Sequence, residues 1–215
     1  MSAAGVVYVV DDDPSFRRAV TRMLTAAGLS VQSYSSGTEL LAHLSGDAAA
    51  EESGCVLADL CMPGLDGLQL QQACTEAGMA LPFVFLTGHG DVPSAVSAMR
   101  HGAVDFLDKC APQQALLTSL ERALERDANA RAARVKREQL ERRFAALTVR
   151  EREVLGHVVR GRMNKQIAAA LGIHERTVKL HRNAITTKLG VRSVAELTTL
   201  TREIALFEGP RQSCP

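Results

Sequence analysis

Tryptophan is absent, aromatic residues make up only 4% of the chain, and long apolar runs are missing. Stretches such as Val6–Val10 and Leu81–Leu86 are strand-sized, far below the roughly 18 consecutive apolar residues of a membrane span. The first residues show neither the basic start nor the small-residue cleavage site of a secretory signal, so a cytoplasmic location without membrane contact is expected. Five cysteines (Cys55, Cys61, Cys74, Cys110, Cys214) form an odd, scattered set with no CxxC pair. That argues against a disulfide framework and for ordinary reduced thiols. Redox sensing at Cys61 or Cys110 is the alternative, because both adjoin residues singled out below. His157, His174 and His181 lack Cys partners and HxxxH spacing, so a zinc site is not expected.

Charge of one sign is scarce locally, although the 215 residues sum to +1. Residues 1–120 hold 5 Lys+Arg against 13 Asp+Glu, residues 121–147 hold 8 against 5, and residues 148–215 hold 12 against 6. Such a split points to an acidic domain joined to a basic, nucleic-acid-binding one. The length suffices for two small domains.

Short apolar runs recur at Val6–Val10, Val31–Tyr34, Cys55–Ala58, Pro82–Leu86 and Val104–Leu107. Helix-like stretches lie between them at about 14–27, 37–45, 66–77, 92–101 and from 112 onward, giving five βα units. The expected class is α/β, a parallel sheet with helices on both faces. Ligands of such sheets bind beyond the carboxyl ends of the strands, where strand order reverses. Polar residues occupy those ends: Asp11, Asp12 and Asp13 after the first run, Asp59 after the third, Thr87 after the fourth and Lys109 at the fifth. Clustered carboxylates repel one another unless a hard cation such as Mg²⁺ is bound. With a hydroxyl and an ammonium alongside, the set is equipped to attack phosphorus: Asp59 as nucleophile, Lys109 and the metal on phosphoryl oxygens, Thr87 as hydrogen-bond donor.

The segments VVYVVDDDPSFR, DLCMPGLDG, FLTGHGD and AVDFLDK resemble the receiver domain of two-component response regulators, flavodoxin-like relatives of CheY. The resemblance implies Asp11 and Asp12 as metal-binding acids, completed by Asp59 and the backbone carbonyl of Cys61. It further implies Asp59 as phosphoacceptor, Thr87 as switch hydroxyl, Lys109 as phosphate-binding lysine and Phe106 as the rotameric switch aromatic. One position departs: the family usually has Pro after the lysine, and this chain has Cys110. A phosphatase of the haloacid-dehalogenase type also attacks with a strand-end Asp, but it needs a second acid two positions on, where this chain has Cys61.

From Gln113 to Phe144 there is neither Gly nor Pro, and Leu116, Leu117, Leu120 and Leu124 repeat at helical spacing. Beyond Leu124 large aliphatics thin out, while Asp127/Arg131 and Glu138/Arg142 stand four apart, the pattern of a solvated helical linker rather than a zipper. Thr148 with Glu151 is a capping-box signal for a helix to about Val159. Further helices fit Asn164–Leu171, Glu175–Leu189 and Ser193–Phe207, with Gly172 and Gly190 at two ends. The tight connection between the second and third is a helix-turn-helix arrangement. In the third, Val178, Ile185 and Leu189 should pack inward, leaving Arg176, Lys179, Leu180, Asn183 and Thr187 outward, residue types suited to phosphates and base edges.

LTVREREVL, GRMNKQIAAALGI, ERTVKLHRNAITTKLG and VRSVAEL resemble the LuxR-type helix-turn-helix of the NarL/FixJ response-regulator group. The resemblance places the helix containing Thr177–Lys188 in the major groove, with Arg176, Thr177, Lys179, Leu180, Arg182, Asn183 and Lys188 as candidate DNA contacts, and implicates the last helix in pairing. His174 stands where the family often has a Ser cap, and His caps less well. The expected architecture is a flavodoxin-like (βα)5 receiver over 1–120, a helical linker over 121–147 and an all-α, four-helix helix-turn-helix domain over 148–215. The expected function is non-enzymatic: phosphorylation by a sensor histidine kinase, with Mg²⁺, drives homodimer formation and sequence-specific binding to double-stranded DNA. RNA polymerase is a further candidate partner. The alternative, motivated by Cys110, is a phosphorylation-independent DNA-binding regulator with a degenerate receiver.

Overall fold

A computed structural model describes residues 5–45, 53–88 and 92–208. Cys214 and the last three residues of FLTGHGD lie outside the described residues. The chain divides into two compact units, 1–131 and 132–215.

The first unit alternates β1 (Val6–Val10), α1 (Pro14–Ala26), β2 (Ser30–Tyr34), α2 (Gly37–Leu44), β3 (Gly54–Asp59), α3 (Gly67–Glu76), β4 (Phe83–Thr87), α4 (Val92–Arg100), β5 (Asp105–Asp108) and the start of α5 (Gln113–Ala145). All neighbouring strands pair in parallel in the order β2-β1-β3-β4-β5. Side chains along a strand point alternately to the two faces. Tyr8, Val10, Val56, Ala58, Phe83 and Phe85 therefore build one core, and Val7, Val9, Cys55, Leu57, Val84 and Leu86 the other. Burial on both faces explains why these strands read as unbroken apolar runs. The strand order reverses between β1 and β3, whose pairing runs through Val10 and Ala58 and sets Asp11 beside Asp59 at the carboxyl edge.

Two sequence boundaries shift by a residue with chemical consequence. Asp59 and Thr87 are the last residues of β3 and β4 rather than the first beyond them, and Lys109 lies just past β5. Sheet pairing therefore fixes the backbone under both Asp59 and Thr87.

Helix α5 is continuous over 33 residues. The expected solvated character holds for Ala128–Gln139, where only Arg131 is half-buried. Ala123, Leu124 and Asp127 are buried in the first unit, and Leu140 and Leu147 are buried in the second. In the second unit, α6 (Val149–Val158), α7 (Asn164–Leu171), α8 (Glu175–Leu189) and α9 (Val194–Glu208) surround a core that includes Val154, Leu155, Ile167, Val178, Ile185, Leu189 and Leu197. Gly172 closes α7 at φ +65°, a backbone conformation that glycine adopts without steric cost, so α8 can begin after only a short turn.

Candidate phosphoacceptor site and nucleic-acid interface

The three aspartates after β1 divide into two tasks. Asp13 is the N-cap of α1 and accepts from the backbone N–H groups of Ser15 and Phe16 at 2.8 and 3.4 Å. Those two bonds hold its carboxyl below the ordinary value. Asp11 and Asp12 instead face Asp59, and carboxylate oxygens of the three lie within 4.8 Å of one another. Asp11 is buried and Asp12 exposed, so the cluster spans the wall and the mouth of a pocket. Burial pushes the Asp11 carboxyl up, against the opposing pull of Lys109.

Lys109 closes the site. Its ammonium donates to Asp11 at 2.7 Å and to Asp59 at 2.8 Å. Its own backbone N–H donates to the Thr87 carbonyl at 2.8 Å, which ties the loop after β5 to the end of β4. Burial opposes the charge on Lys109, but the hydrogen bonds it donates to Asp11 and Asp59 outweigh it and hold the ammonium above its ordinary value. The Phe16 ring supports it from α1, 4.4 Å from nitrogen to ring centre, within the range of a cation–π contact. Phe16 has no sequence signal for this role, since an apolar residue in an amphipathic helix reads as core.

Thr87 is 1% exposed and Asp59 7% exposed. The Cys61 backbone N–H donates to an Asp59 oxygen at 3.3 Å, placing residue 61 over the carboxylate. Phe106 is half-buried in β5, its ring centre 6.5 Å from that of Phe85. Cys110 anchors its N–H on an Asp108 oxygen at 2.7 Å, so the residue that replaces the family's usual Pro leaves Lys109 in reach of both acids. Cys61 and Cys110 are exposed thiols, whereas burial pushes Cys55 up to about 12 and Cys74 to about 11.

In the second unit α8 turns Val178, Ile185 and Leu189 into the core. Arg176, Lys179, Leu180, Asn183 and Thr187 are exposed, Leu180 by 63%, an unusual position for a leucine. The remaining candidates from the sequence are differently placed. Thr177 is half-buried, and Arg182 donates to the Asn164 side chain on α7 at 2.8 Å. Lys188 donates to both oxygens of Glu151 on α6, at 2.7 and 3.0 Å. Glu151 is also the partner of the Thr148 cap, whose backbone N–H it accepts at 2.7 Å. His174 caps α8 by position but makes no side-chain cap bond.

The sequence profile "Response regulator receiver domain" matches residues 7–121, and "Bacterial regulatory proteins, luxR family" matches residues 145–201. The chain is a NarL/FixJ-type two-component response regulator. The regulator is 38% identical to Nodulation protein W of Bradyrhizobium diazoefficiens, covering 95% of this chain and 88% of that protein. It is 37% identical to Transcriptional regulatory protein FixJ of Azorhizobium caulinodans, with 90% of each chain covered. The solved structure of response regulator StyR superposes with a TM-score of 0.86 at 44% identity, over 93% of this chain and 98% of that one. The regulator therefore joins a receiver to a LuxR-type DNA-binding domain and works in phosphorylation-controlled transcription regulation. None of its described helices is long and apolar enough to cross a membrane.

Proposed function

We propose that Asp59 is the phosphoacceptor of this regulator, served by Lys109 and Thr87, and that its phosphorylation drives dimerisation and operator binding. The observation that carries the reading is the Lys109 ammonium seated on Asp11 and Asp59 at 2.7 and 2.8 Å within a three-carboxylate cluster. All the donors there are hard oxygens, as a Mg²⁺ ion prefers, and a buried Asp11 whose proton affinity is raised suits a cation partner. Asp11, Asp12, Asp59 and the Cys61 carbonyl would hold that ion. When bound, it neutralises phosphoryl oxygens and so lowers the charge barrier to attack by a carboxylate.

The acceptor needs no general base, because the carboxylate is already ionised at neutral pH. An Asp59 oxygen forms the new bond to phosphorus while the bond from phosphorus to the histidine nitrogen of the kinase breaks, the electron pair leaving with the imidazole. Lys109 stays paired with the transferred group, and Thr87 donates to one of its oxygens. Phosphorylation adds charge and acceptor oxygens, which draws Thr87 inward and lets Phe106 follow. Val96 and Met99 stand exposed on α4, an apolar surface available to a receiver dimer.

The divisions we assign are a receiver over 1–120, a helical linker over 121–147 and a DNA reader over 148–215. Paired recognition helices would meet a two-fold operator with half-sites about one turn apart. Arg176, Lys179, Leu180 and Asn183 are the base and phosphate contacts best supported by exposure, with Thr177, Arg182 and Lys188 at their flank. RNA polymerase would be met at the promoter.

The test is incubation of the full chain with Mg²⁺ and acetyl phosphate, reading intact mass and oligomeric state. A phosphate-sized gain and a dimer are expected for wild type and neither for Asp59→Asn. No gain under conditions that label a control receiver would overturn the reading in favour of phosphorylation-independent DNA binding.

A further inference from the structure

We propose that the receiver carries a second ligand site, separate from the acidic pocket, that takes a small phosphate-bearing anion between α1 and β2. A cleft of about 620 Å³ is lined there by Ser15, Arg17, Arg18, Thr21 and Arg22 of α1 and by Ser33 of β2. The volume lies within the range of roughly 300–1,000 Å³ typical of small-molecule sites.

The charge distribution is the first reason. Residues 1–120 contain only 5 Lys+Arg against 13 Asp+Glu, and Arg17, Arg18 and Arg22 are three of those five. Arg18 and Arg22 stand four apart on one helix, where like charges repel and weaken it. Residues 1–120 thus place three of their five cations on one helix, where they repel one another. A helix face selected for stability alone would carry an acid among them, yet no acid lines the cleft among the described residues. The bonds that these arginines make bring no counter-charge: Arg17 donates to the Asp11 backbone carbonyl, and Arg18 to that of Pro14 at 3.0 Å. Asp13 and Glu39 feel the charge of Arg17, but neither lines the cleft.

The donor set is the second reason. Three guanidinium groups and the exposed Ser15 and Ser33 hydroxyls can give hydrogen bonds to an oxyanion, and guanidinium forks fit phosphate oxygens in pairs. A concave site lined by donors favours a small molecule over the flat surface of a protein. Arg17, fixed to the Asp11 carbonyl, forms its rigid wall, and Arg18 and Arg22 are the exposed arms.

Isothermal titration of the full chain with inorganic pyrophosphate, without divalent cation and with ionic strength matched by chloride, tests the proposal. One saturable site per chain is expected. It should weaken at least about tenfold in Arg18→Ala/Arg22→Ala, as loss of two charge-assisted donors requires, and stay unchanged in Arg160→Ala/Arg162→Ala, which removes two exposed cations of the second unit outside the reading helix. Circular dichroism melting shows that the first double variant folds; it should melt no lower than wild type, since a repulsion has been removed. Absence of saturable binding, equal binding by the Arg18/Arg22 variant, or loss in the Arg160/Arg162 variant would each overturn the site. Binding of a poly-glutamate peptide but not of pyrophosphate would overturn it too and make the face a protein-docking surface.

Discussion

Gly67 shows how little space a single residue of this receiver leaves unused. A Cβ there would stand 2.5 Å from the Asp59 carbonyl oxygen and 3.0 Å from the Phe85 ring, so the first turn of α3 packs directly against the end of β3. Gly67→Ala should therefore cost about 1–3 kcal/mol, as overpacked sites do, and should displace the Asp59 backbone. Urea denaturation would read the first effect and the rate of labelling by acetyl phosphate the second; unchanged values for both would refute the packing argument. At this scale the four groups that the structure brings together, Asp11, Asp12, Asp59 and Lys109, could be picked out because each is a polar residue at the end of an apolar run. The separate task of Asp13 was less legible. Three consecutive aspartates look alike until the geometry shows Asp13 bonded to Ser15 and Phe16 and the other two turned to Asp59.

At the scale of elements, the strands were legible nearly to the residue, since burial on both faces writes itself as unbroken apolar runs. Long-range polar contacts left no such trace. Asp127 stands four residues before Arg131 and reads as half of a surface pair, but it is 5% exposed and accepts from the Gly54 N–H at 3.0 Å and from Ser53 Oγ at 3.1 Å. It joins α5 to the start of β3, more than seventy positions away in sequence, a distance over which no local pattern operates. Asp127→Ala leaves that buried N–H without its acceptor, at a cost of about 1–3 kcal/mol, whereas Asp127→Asn should recover much of it. Equal stability of the Ala variant and wild type in urea would count against the contact.

Lys188 is the corresponding case in the second unit: a cation on the reading helix that is bonded to Glu151 on α6. The Lys188 ammonium and, next, the Thr148 backbone hold the Glu151 carboxyl below its ordinary 4.5. A group with a lowered value in the folded state stabilises it fully above the unfolded value and loses that contribution as pH falls through the folded one. The second unit should therefore lose stability progressively below about pH 4.5, and Glu151→Gln should remove this part of the dependence while melting lower than wild type at neutral pH. Calorimetry across that range measures both. Parallel pH profiles for wild type and Glu151→Gln would show that the pair carries no such linkage.

Over the whole molecule, one covalent feature joins the two units, the 33-residue α5. Its exposed middle, Ala128–Gln139, is held by helix propensity and by pairs such as Arg137/Glu141 at 2.7 Å, each worth only about 0.2–0.5 kcal/mol. Burial secures its two ends: Leu120, Leu124 and Asp127 on one side, Leu140 on the other. Such a helix can carry a displacement from the receiver only while it remains unbroken. Ala133→Pro interrupts the helical hydrogen bonds there at a local cost of about 3 kcal/mol or more, in a stretch with no core to disturb. Acetyl phosphate should still label Asp59 in this variant, and the unphosphorylated protein should bind DNA as before. Phosphorylation, however, should no longer raise that affinity by the roughly 5- to 150-fold expected of a coupling of about 1–3 kcal/mol. Fluorescence anisotropy on an operator selected from random duplexes, with and without phosphorylation, makes the comparison. If the gain survives the proline, the receiver acts by pairing two tethered readers and α5 serves only as their tether; if it disappears, the continuity of α5 is itself the transmitting element.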